Sequence, residues 1–337
     1  MKKVQVKGNF FYNSDCILGA KQHIADNSID LIITDPPYGI EGQTLHKHYN
    51  RNEGNVIQGY VEVPKKEYAA FSQKWINEAE RILKPSGQIY IVSGYTNLYH
   101  ILHALRSTKL KEINHIIWKY NFGVFTRRKY VSSHYHILYY EKPGKEKRKF
   151  NLNCRFGLSE KTDAGRSLNY QDREDVWIIN REYKAGREKN KNELPQKLLM
   201  RMIQYSSNPG DLICDLFLGG FSTAEVAVGL KRKFVGFEIS SHIFDKKIKA
   251  MKNLKSGFLM DKLRKPAHDE TTNQGKRWSK EEIEKLILDF SKLYYKDGKT
   301  KQESIDLLSK KFKRGKWGIL KILNAEKGKT KIMNNEQ

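Results

Sequence analysis

The sequence is short of the residues and segments that build disulfide frameworks, metal sites and membrane anchors. Its 337 residues include three cysteines, Cys16, Cys154 and Cys214, at spacings that suit neither a zinc site nor a set of disulfides. No run approaches the roughly 18 apolar residues of a membrane span, and the amino-terminal segment MKKVQVKGNFFYNSD lacks the apolar core of a signal peptide. These absences predict a soluble, cytoplasmic protein without a membrane partner.

Acidic residues are scarce relative to basic ones. The chain has 62 Lys and Arg against 38 Asp and Glu, which gives a formal net charge of +24. A field of this sign attracts polyanions, and neutralising phosphates releases the counterions of a nucleic acid. The composition therefore favours nucleic acid as a partner, and a merely basic protein is the alternative.

Strand and helix patterns alternate through the first part of the chain, which predicts an α/β domain with a largely parallel sheet. We assign residues 1–256 to this domain. A region at about 121–193 mixes Arg, Asn, Gln and aromatic side chains, the types that contact base edges and phosphates. We predict that this region recognises the target sequence and that 40–66 closes over a target base. Candidate contacts within the region are Arg127, Arg128 and Arg166.

The composition changes again near the carboxyl end. We predict a linker at 257–276 and a small basic helical domain at 277–330, whose first helix opens with the capping box Ser279…Glu282. One interpretation is a bundle resembling a helix-turn-helix, with lysines on DNA phosphates. The other is a helical appendage with solvated lysines, used for self-association.

The segment ICDLFLGGFSTAEVAVGLKRKFVGFE has the form of a strand, a glycine turn, a helix and a second strand that ends in an acid. Gly219 and Gly220 allow the backbone to approach a ligand closely. Glu238, nineteen residues after Gly219, has the spacing at which an acid accepts hydrogen bonds from the hydroxyls of a ribose. Because G-x-G-x-x-G is missing, the turn favours a nucleoside with a short charged substituent over a pyrophosphate-bearing cofactor.

A second motif, IDLIITDPPYGI, places Asp35, Pro36, Pro37 and Tyr38 directly after a buried strand. A carboxylate and a rigid backbone carbonyl can each accept one N–H of an exocyclic amine, which directs the nitrogen lone pair at an electrophile. Asp35 and the Pro36 carbonyl supply such a pair. Tyr38 offers an aromatic face for a base that has been flipped out of a duplex.

At these residues the chain resembles the DNA amino-methyltransferases that use S-adenosyl-L-methionine. Because DPPY precedes the glycine turn, the order of motifs is similar to that of the beta class, and the resemblance covers roughly residues 9–252. It implies a Rossmann-like, seven-stranded, mostly parallel sheet with helices on both faces, a flipped target base and direct methyl transfer. It further implies double-stranded DNA as a partner, and leaves open a homodimer and a cognate restriction endonuclease.

Carried over residue by residue, the resemblance implies two groups of site residues. The catalytic motif corresponds to Asp35, Pro36, Pro37 and Tyr38. The cofactor site corresponds to Asp15, Asp35, Gln196, Lys197, Asp215, Phe217, Gly219, Gly220 and Glu238. No metal is implied, and we interpret His134 and His136 as packing or hydrogen-bonding residues.

Two positions depart from the family pattern. Phe221 stands where a third glycine is usual, which puts the shape of the cofactor turn in question, and Leu198 stands where a proline is usual. An Asp as first motif residue favours the N6 amine of adenine over the N4 amine of cytosine, although the same hydrogen bonds serve either. The remaining alternatives are a methyltransferase acting on RNA or free nucleotides and a non-catalytic DNA-binding protein.

Overall fold

The computed structural model describes residues 2–39, 63–121, 123, 125, 127–182, 193–266, 273 and 275–326. The predicted closing segment at 40–66 therefore lies largely outside the described residues. The chain forms two compact units, one of 1–155 with 170–265 and one of 156–169 with 266–337. None of the described helices combines the length and apolarity that crossing a bilayer requires.

The larger unit is built on one sheet, in which nine strands are described. The strands are β1 (Lys2–Val6), β2 (Asn9–Asn13), β3 (Ile29–Thr34), β4 (Leu83–Ser93), β5 (Lys111–Lys119), β6 (His134–Glu141), β7 (Val176–Ile178), β8 (Leu212–Asp215) and β9 (Lys233–Glu238). Their order in the sheet is β1-β2-β9-β8-β3-β4-β6-β5-β7.

Helices connect these strands and form the second unit. The helices are α1 (Cys16–His23), α2 (Tyr68–Ile82), α3 (Leu98–Arg106), α4 (Leu168–Gln171), α5 (Gln196–Ser206), α6 (Ser222–Gly229), α7 (Ser241–Asn253), α8 (Lys280–Ser291), α9 (Lys301–Phe312) and α10 (Lys316–Ala325). A 3₁₀ turn covers Met260–Lys262, and a π-helical turn at Lys292–Lys296 follows α8.

The centre of the sheet confirms the predicted α/β class. Strands β2, β9, β8, β3 and β4 run parallel, and β6 lies antiparallel between β4 and β5. These are the seven strands that the family resemblance implies. The sheet is wider than predicted, because β1 pairs with β2 at one edge and the short β7 pairs with β5 at the other.

Strand β3 shows why an uninterrupted apolar run forms the middle of this sheet. Successive side chains of a strand point to opposite faces, so a strand covered on both faces is apolar throughout. Leu31 and Ile33 pack in one hydrophobic cluster and Ile32 packs in the other, all of them fully buried. Because β3 and its neighbours β4 and β8 are parallel, their carboxyl ends meet at one edge of the sheet.

Two of the predicted regions contain residues that belong to the core or the sheet of the larger unit. The predicted linker begins at 257, but Leu259 is fully buried and its amide donates to the Gly229 carbonyl at 3.0 Å. Its apolar side chain joins the core, so the larger unit continues to 265. The predicted recognition region at 121–193 also includes β6, an interior strand whose position the pairing with β4 and β5 dictates.

The second unit contains α8, α9 and α10 around a small core of its own. Its buried apolar residues are Leu286, Phe290, Ile305, Leu308, Phe312, Ile319 and Leu323. The predicted capping box is confirmed, since Ser279 accepts from the Glu282 amide and the Glu282 carboxylate accepts from the Ser279 amide. Thr300 and Glu303 form a second capping box at the start of α9.

Candidate active site

The first motif begins where β3 ends at Thr34. The Asp35 carboxylate accepts a hydrogen bond from the Tyr38 hydroxyl at 2.6 Å. Burial raises the pKa of Asp35 to about 7, against the opposing effects of the Tyr38 hydrogen bond and the nearby Arg181, and the negative charge of Asp215 raises it further. Near neutral pH this carboxyl is therefore present in both protonated and ionised forms.

Two carbonyls of the motif are held by the helices that follow it. The Tyr68 hydroxyl on α2 donates to the Pro37 carbonyl at 2.8 Å, and the side-chain amide of Asn97, at the start of α3, donates to the Tyr38 carbonyl. Among the described residues no donor reaches the Pro36 carbonyl. The loop is thus fixed next to one carbonyl whose hydrogen-bonding capacity is left for another group.

Aromatic rings surround this loop. The Tyr38 ring stacks on Tyr135 of β6 with centroids 5.7 Å apart, and Trp118 of β5 stacks on Tyr135 at 5.6 Å. The Arg181 guanidinium lies over the Tyr120 ring at 4.7 Å. Together they enclose a small pocket beside the carboxylate. The pocket is lined by Asp35, Tyr38, Trp118, Tyr135, Arg181, Glu193 and Leu194.

The second motif places Glu238 at the end of β9, beneath the glycine turn. One carboxylate oxygen accepts from the Gly219 amide at 2.8 Å and the other from the Ser240 amide at 2.7 Å. Burial raises the pKa of Glu238 to about 7 despite these two hydrogen bonds. Gly219 has a φ of +46°, a conformation that glycine adopts readily, so the turn can bend tightly over the acid.

Asp215 connects the two motifs. It ends β8, is almost fully buried, and accepts hydrogen bonds from the Thr34 hydroxyl at 2.9 Å and the Phe217 amide at 3.0 Å. Burial raises its pKa to about 6. The charge of Asp215 in turn raises the pKa values of Asp35 and Glu238, so three carboxyls share one edge of the sheet.

The departure at Phe221 is accommodated in an unusual backbone conformation. Phe221 precedes α6 with φ +63° and ψ +16°, the left-handed region that bulky residues rarely occupy. Its ring is fully buried, stacked on Phe11 at 5.6 Å and edge-on to Phe244 at 6.1 Å. The backbone therefore keeps a glycine-like conformation, and aromatic packing offsets the strain.

Asp15 lies at the same edge of the sheet as Glu238. Strand β2 pairs with β9 so that Asn13 stands opposite Glu238, and the Asn13 side-chain amide donates to the Glu238 carbonyl at 2.8 Å. Two residues later the Asp15 side chain caps α1, accepting from the amides of Ile17 and Leu18. The predicted adenine-side acid thus also fixes the start of a helix.

The predicted methionine-side residues begin helix α5. Pro195 is its N-cap residue, Gln196 is partly buried and Lys197 is exposed. Among the described residues no hydrogen bond joins either side chain to the glycine turn. Phe217 turns inward instead, where its ring packs edge-on against Trp75 at 5.5 Å.

Glu193 brings the two motifs together, although no pattern in the sequence indicates it. A Cβ added to Gly220 would lie 2.4 Å from the Glu193 carboxylate, so this side chain rests directly on the glycine turn. The same carboxylate pairs with Lys247 at 2.7 Å and lines the Asp35 pocket.

The other pocket residues missed by sequence reasoning are Trp118, Tyr135, Arg181 and Leu194. The alternation in HYHILYYEK could have indicated Tyr135, because it must face away from the histidines on either side. Those histidines lie outside the pocket, and His136 hydrogen-bonds to His115 at 2.8 Å. Burial lowers the pKa of His136 to about 4, and the positive charges of His115 and His134 contribute to the same decrease.

The geometry of the second motif fits a nucleoside cofactor. Gly236 has no Cβ, and a Cβ placed there would lie 2.8 Å from the Asp215 carbonyl oxygen. The glycine therefore allows β9 to lie close to the end of β8, where the turn begins. Glu238, whose two oxygens accept from the Gly219 and Ser240 amides, and the partly buried Asp15 provide hydrogen-bond acceptors at one edge. Such acceptors suit ribose hydroxyls and an amino group.

Comparison with known proteins agrees with this arrangement. A family model described as DNA methylase, for the N6 and N4 enzymes, matches residues 29–253. The type II methyltransferase M.HpaI of Haemophilus parainfluenzae is 32% identical over 232 residues, which are 67% of this chain and 69% of that protein. M.HinfI of Haemophilus influenzae is 28% identical over 73% of this chain and 69% of its own length. M.BamHI of Bacillus amyloliquefaciens is 31% identical over 68% of this chain, and the match spans about half of that protein, 54%.

Solved structures share the fold. The PvuII DNA methyltransferase, a cytosine-N4-specific enzyme, superposes with a TM-score of 0.54 at 15% identity, covering 74% of this chain and 88% of that one. TTHA0409 of Thermus thermophilus, solved with S-adenosyl-L-methionine, gives a TM-score of 0.51 at 17% identity, covering 72% and 92%. The family model matches both motifs and M.HpaI is 32% identical, so the chain belongs to the N6/N4 DNA methylase family and is a DNA methyltransferase that uses S-adenosyl-L-methionine.

Proposed function

We propose that the protein methylates the exocyclic N6 amine of adenine at specific sites in duplex DNA, on a base flipped out of the helix. The observation that carries this proposal is the pair of acceptors at the end of β3. Asp35 and Pro36 are adjacent in the chain, and the next two carbonyls, those of Pro37 and Tyr38, are already hydrogen-bonded. An amine with two N–H groups satisfies both acceptors at once.

These acceptors also activate the amine. An amino group on a heteroaromatic ring is a weak nucleophile because its lone pair is delocalised into the ring. Two hydrogen bonds in fixed directions favour a pyramidal nitrogen, and the lone pair then points away from Asp35 and Pro36. With a pKa of about 7, Asp35 can also take up the proton that the amine loses near neutral pH.

The aromatic pocket supports base flipping. A base outside the duplex has lost its stacking partners, and each stacking contact with an aromatic ring recovers about 1–3 kcal/mol. Tyr38, Trp118 and Tyr135 offer such rings beside the carboxylate. Arg181 lies over two of the neighbouring rings and adds a positive charge suited to the phosphate of a flipped nucleotide.

We assign the cofactor residues from the hydrogen-bond acceptors around the glycine turn and from the family resemblance. Glu238 is proposed to accept the ribose hydroxyls, Asp15 to lie beside the adenine, and the glycine turn to follow the cofactor backbone. Gln196 and Lys197 are proposed on the methionine side. S-adenosyl-L-methionine, when bound, supplies the electrophilic methyl group.

The nature of the product tests the proposal. Incubation with radiolabelled S-adenosyl-L-methionine and duplex DNA, followed by digestion to nucleosides, is expected to place the label in N6-methyladenine. Cytosine N4 is the second candidate, because the same two acceptors suit its amine and the PvuII enzyme shares the fold. Label in N4-methylcytosine, or label in RNA but not DNA, would contradict the proposal.

The biological setting is inferred from the relatives and the cysteines. The relatives are type II methyltransferases, which supports a role in restriction and modification. Cys16, Cys154 and Cys214 are all free thiols, consistent with the cytoplasm. A cognate endonuclease and a homodimer remain predictions.

The role of Glu238 leads to a binding prediction. Glu238→Gln removes a charged acceptor of the ribose hydroxyls, and a hydrogen bond to a charged group is worth about 1.5–3 kcal/mol. Affinity for S-adenosylhomocysteine, measured by calorimetry at pH 8, is expected to fall about 10- to 100-fold. Glu146→Gln, the same change at an exposed acid outside the site, should leave this affinity nearly unaltered.

The same variant has a characteristic pH dependence. Ribose hydroxyls favour the ionised form of Glu238, whose pKa is raised to about 7, so affinity should fall as pH drops below 7. Glu238→Gln cannot ionise, and its affinity should vary less over this range. Equal pH dependence in both proteins would show that Glu238 does not contact the cofactor.

A further inference from the structure

The second unit contains two helices joined by a turn of the helix-turn-helix type. Helix α9 ends at Phe312 and α10 begins at Lys316, so three residues connect them. The first of these, Lys313, has a φ of +52°, which ends α9 sharply, and Gly315 is the N-cap residue of α10. A turn of three to four residues containing glycine is typical of helix-turn-helix units.

A buried arginine fixes the turn. Arg314 is 4% exposed and its guanidinium pairs with Glu282 at 2.9 Å, linking the turn to the start of α8. It also donates to the Lys276 carbonyl at 2.6 Å and lies over the Trp278 ring at 4.1 Å. The orientation of α10 relative to α8 and α9 is therefore set by a rigid, interior contact.

Basic residues predominate around the turn. Between 307 and 325 the chain has six basic residues and no acidic one. Lys311 and Lys316 pair with acids of α8 and α9, and Arg314 is buried. Lys310, Lys313 and Lys321 are exposed and form no ion pair with another described residue. The turn and α10 thus form a positive surface suited to a polyanion.

One face of α10 carries side chains that have no part in the core. Ile319 and Leu323 are buried, while Trp317, Lys321 and Asn324 are exposed at positions i, i+4 and i+7. Trp317 is 87% exposed. Lys and Asn are among the side chains that contact guanine and adenine edges in the major groove.

We propose that α10 inserts into the major groove of duplex DNA. In this interaction Trp317, Lys321 and Asn324 face the groove, and Lys310 and Lys313 contact phosphates. Helix-turn-helix proteins place the second helix of the motif in the groove in this way. The chain then has a DNA contact additional to its catalytic site, and this contact does not depend on which base is methylated.

Phosphate contacts are tested by the salt dependence of binding. The full-length chain is titrated onto a labelled duplex of about 25 base pairs, with anisotropy recorded at several salt concentrations. Lys310→Ala together with Lys313→Ala is expected to lower the slope of log K against log salt by about 2, since each phosphate contact contributes about 0.9. Lys280→Ala with Lys285→Ala, exposed lysines on α8, should leave the slope unchanged.

The groove-facing residues are tested by affinity and kinetics. Trp317→Ala and Asn324→Ala should each weaken binding about tenfold without altering the slope, and raise KM for DNA while kcat stays constant. Leu288→Ala, at a residue 58% exposed on α8, is the control for loss of surface apolar area. Unchanged DNA binding in these variants would overturn the proposal. A change in the sedimentation of a variant without DNA would also overturn it, and would favour a protein partner for α10. Binding is measured without turnover, so an unexpected methylated base leaves this test intact.

Discussion

Asp35→Asn is expected to lower kcat for methyl transfer about 10³-fold, because a positioned acid–base group contributes about 10²–10⁴-fold. The substitution keeps the size of the side chain and an acceptor for the Tyr38 hydroxyl. It removes the negative charge that accepts the N–H and then the proton of the amine. Single-turnover assays with saturating S-adenosyl-L-methionine and duplex DNA measure the effect directly.

Folding should not suffer in this variant. Burial raises the pKa of Asp35 from its ordinary value of 3.8 to about 7, so the folded state prefers the protonated form. The stability associated with that form is present below about pH 4 and is lost as pH rises through 7. Asn cannot ionise, and Asp35→Asn should therefore unfold at the same or a higher urea concentration than the parental protein at pH 8. Activity near the parental rate in the folded variant would refute the catalytic assignment.

Tyr38→Phe tests whether the ionisation of Asp35 controls the rate of methyl transfer. In the parental enzyme the single-turnover rate should rise with pH through about 7, as Asp35 becomes able to accept a proton. The Tyr38 hydrogen bond lowers the pKa of Asp35, so removing the hydroxyl should move this rise to higher pH while preserving the ring. A rise that stays at the same pH in Tyr38→Phe would mean that another group controls it.

Phe221→Ala is expected to destabilise the larger unit by about 3–5 kcal/mol, the usual cost of removing a buried aromatic ring. The alanine would retain the left-handed backbone at φ +63° and lose the contacts with Phe11 and Phe244. Phe221→Gly loses the same contacts but relieves about 1–2 kcal/mol of left-handed strain. Glycine should therefore be more stable than alanine by about 1 kcal/mol, as measured by urea unfolding.

The control is Phe244, a fully buried residue inside α7. There the backbone is helical, and glycine should be less stable than alanine by about 1 kcal/mol. The order of stability of the alanine and glycine variants is thus reversed between the two sites, although a phenyl ring is removed at both. If alanine were the more stable choice at both positions, the left-handed conformation of Phe221 would not be strained.

The sequence predicts those parts of the fold and site that depend on local spacing. The apolar run before Asp35 and the distance from Gly219 to Glu238 each follow from one strand or one strand–turn–helix unit, and the structure has both. The extra edge strands were not predicted because β1 and β7 are short and their pairing depends on neighbours distant in sequence. The core extends beyond the predicted boundary at 256, because the apolar residue Leu259 packs in it.

The aromatic pocket could not be predicted in the same way. Trp118, Tyr135 and Arg181 come from three separated segments, and only the antiparallel register of β5 with β6 brings Trp118 opposite Tyr135. Hydrophobic patterning shows which face of a strand is buried, but not which residue of another strand it meets. Glu193 was missed for the same reason, since its contact with Gly220 is tertiary.

The hydrogen bond from Thr34 to Asp215 has a consequence for gene architecture. Strands β3 and β8 lie side by side, with Leu31 opposite Ile213, although about 180 residues separate them in the chain. The catalytic and cofactor motifs therefore meet through lateral adjacency in the sheet, whichever of them is translated first. A circularly permuted gene, encoding the cofactor motif before the catalytic one, would assemble the same edge as long as the new connections followed the surface.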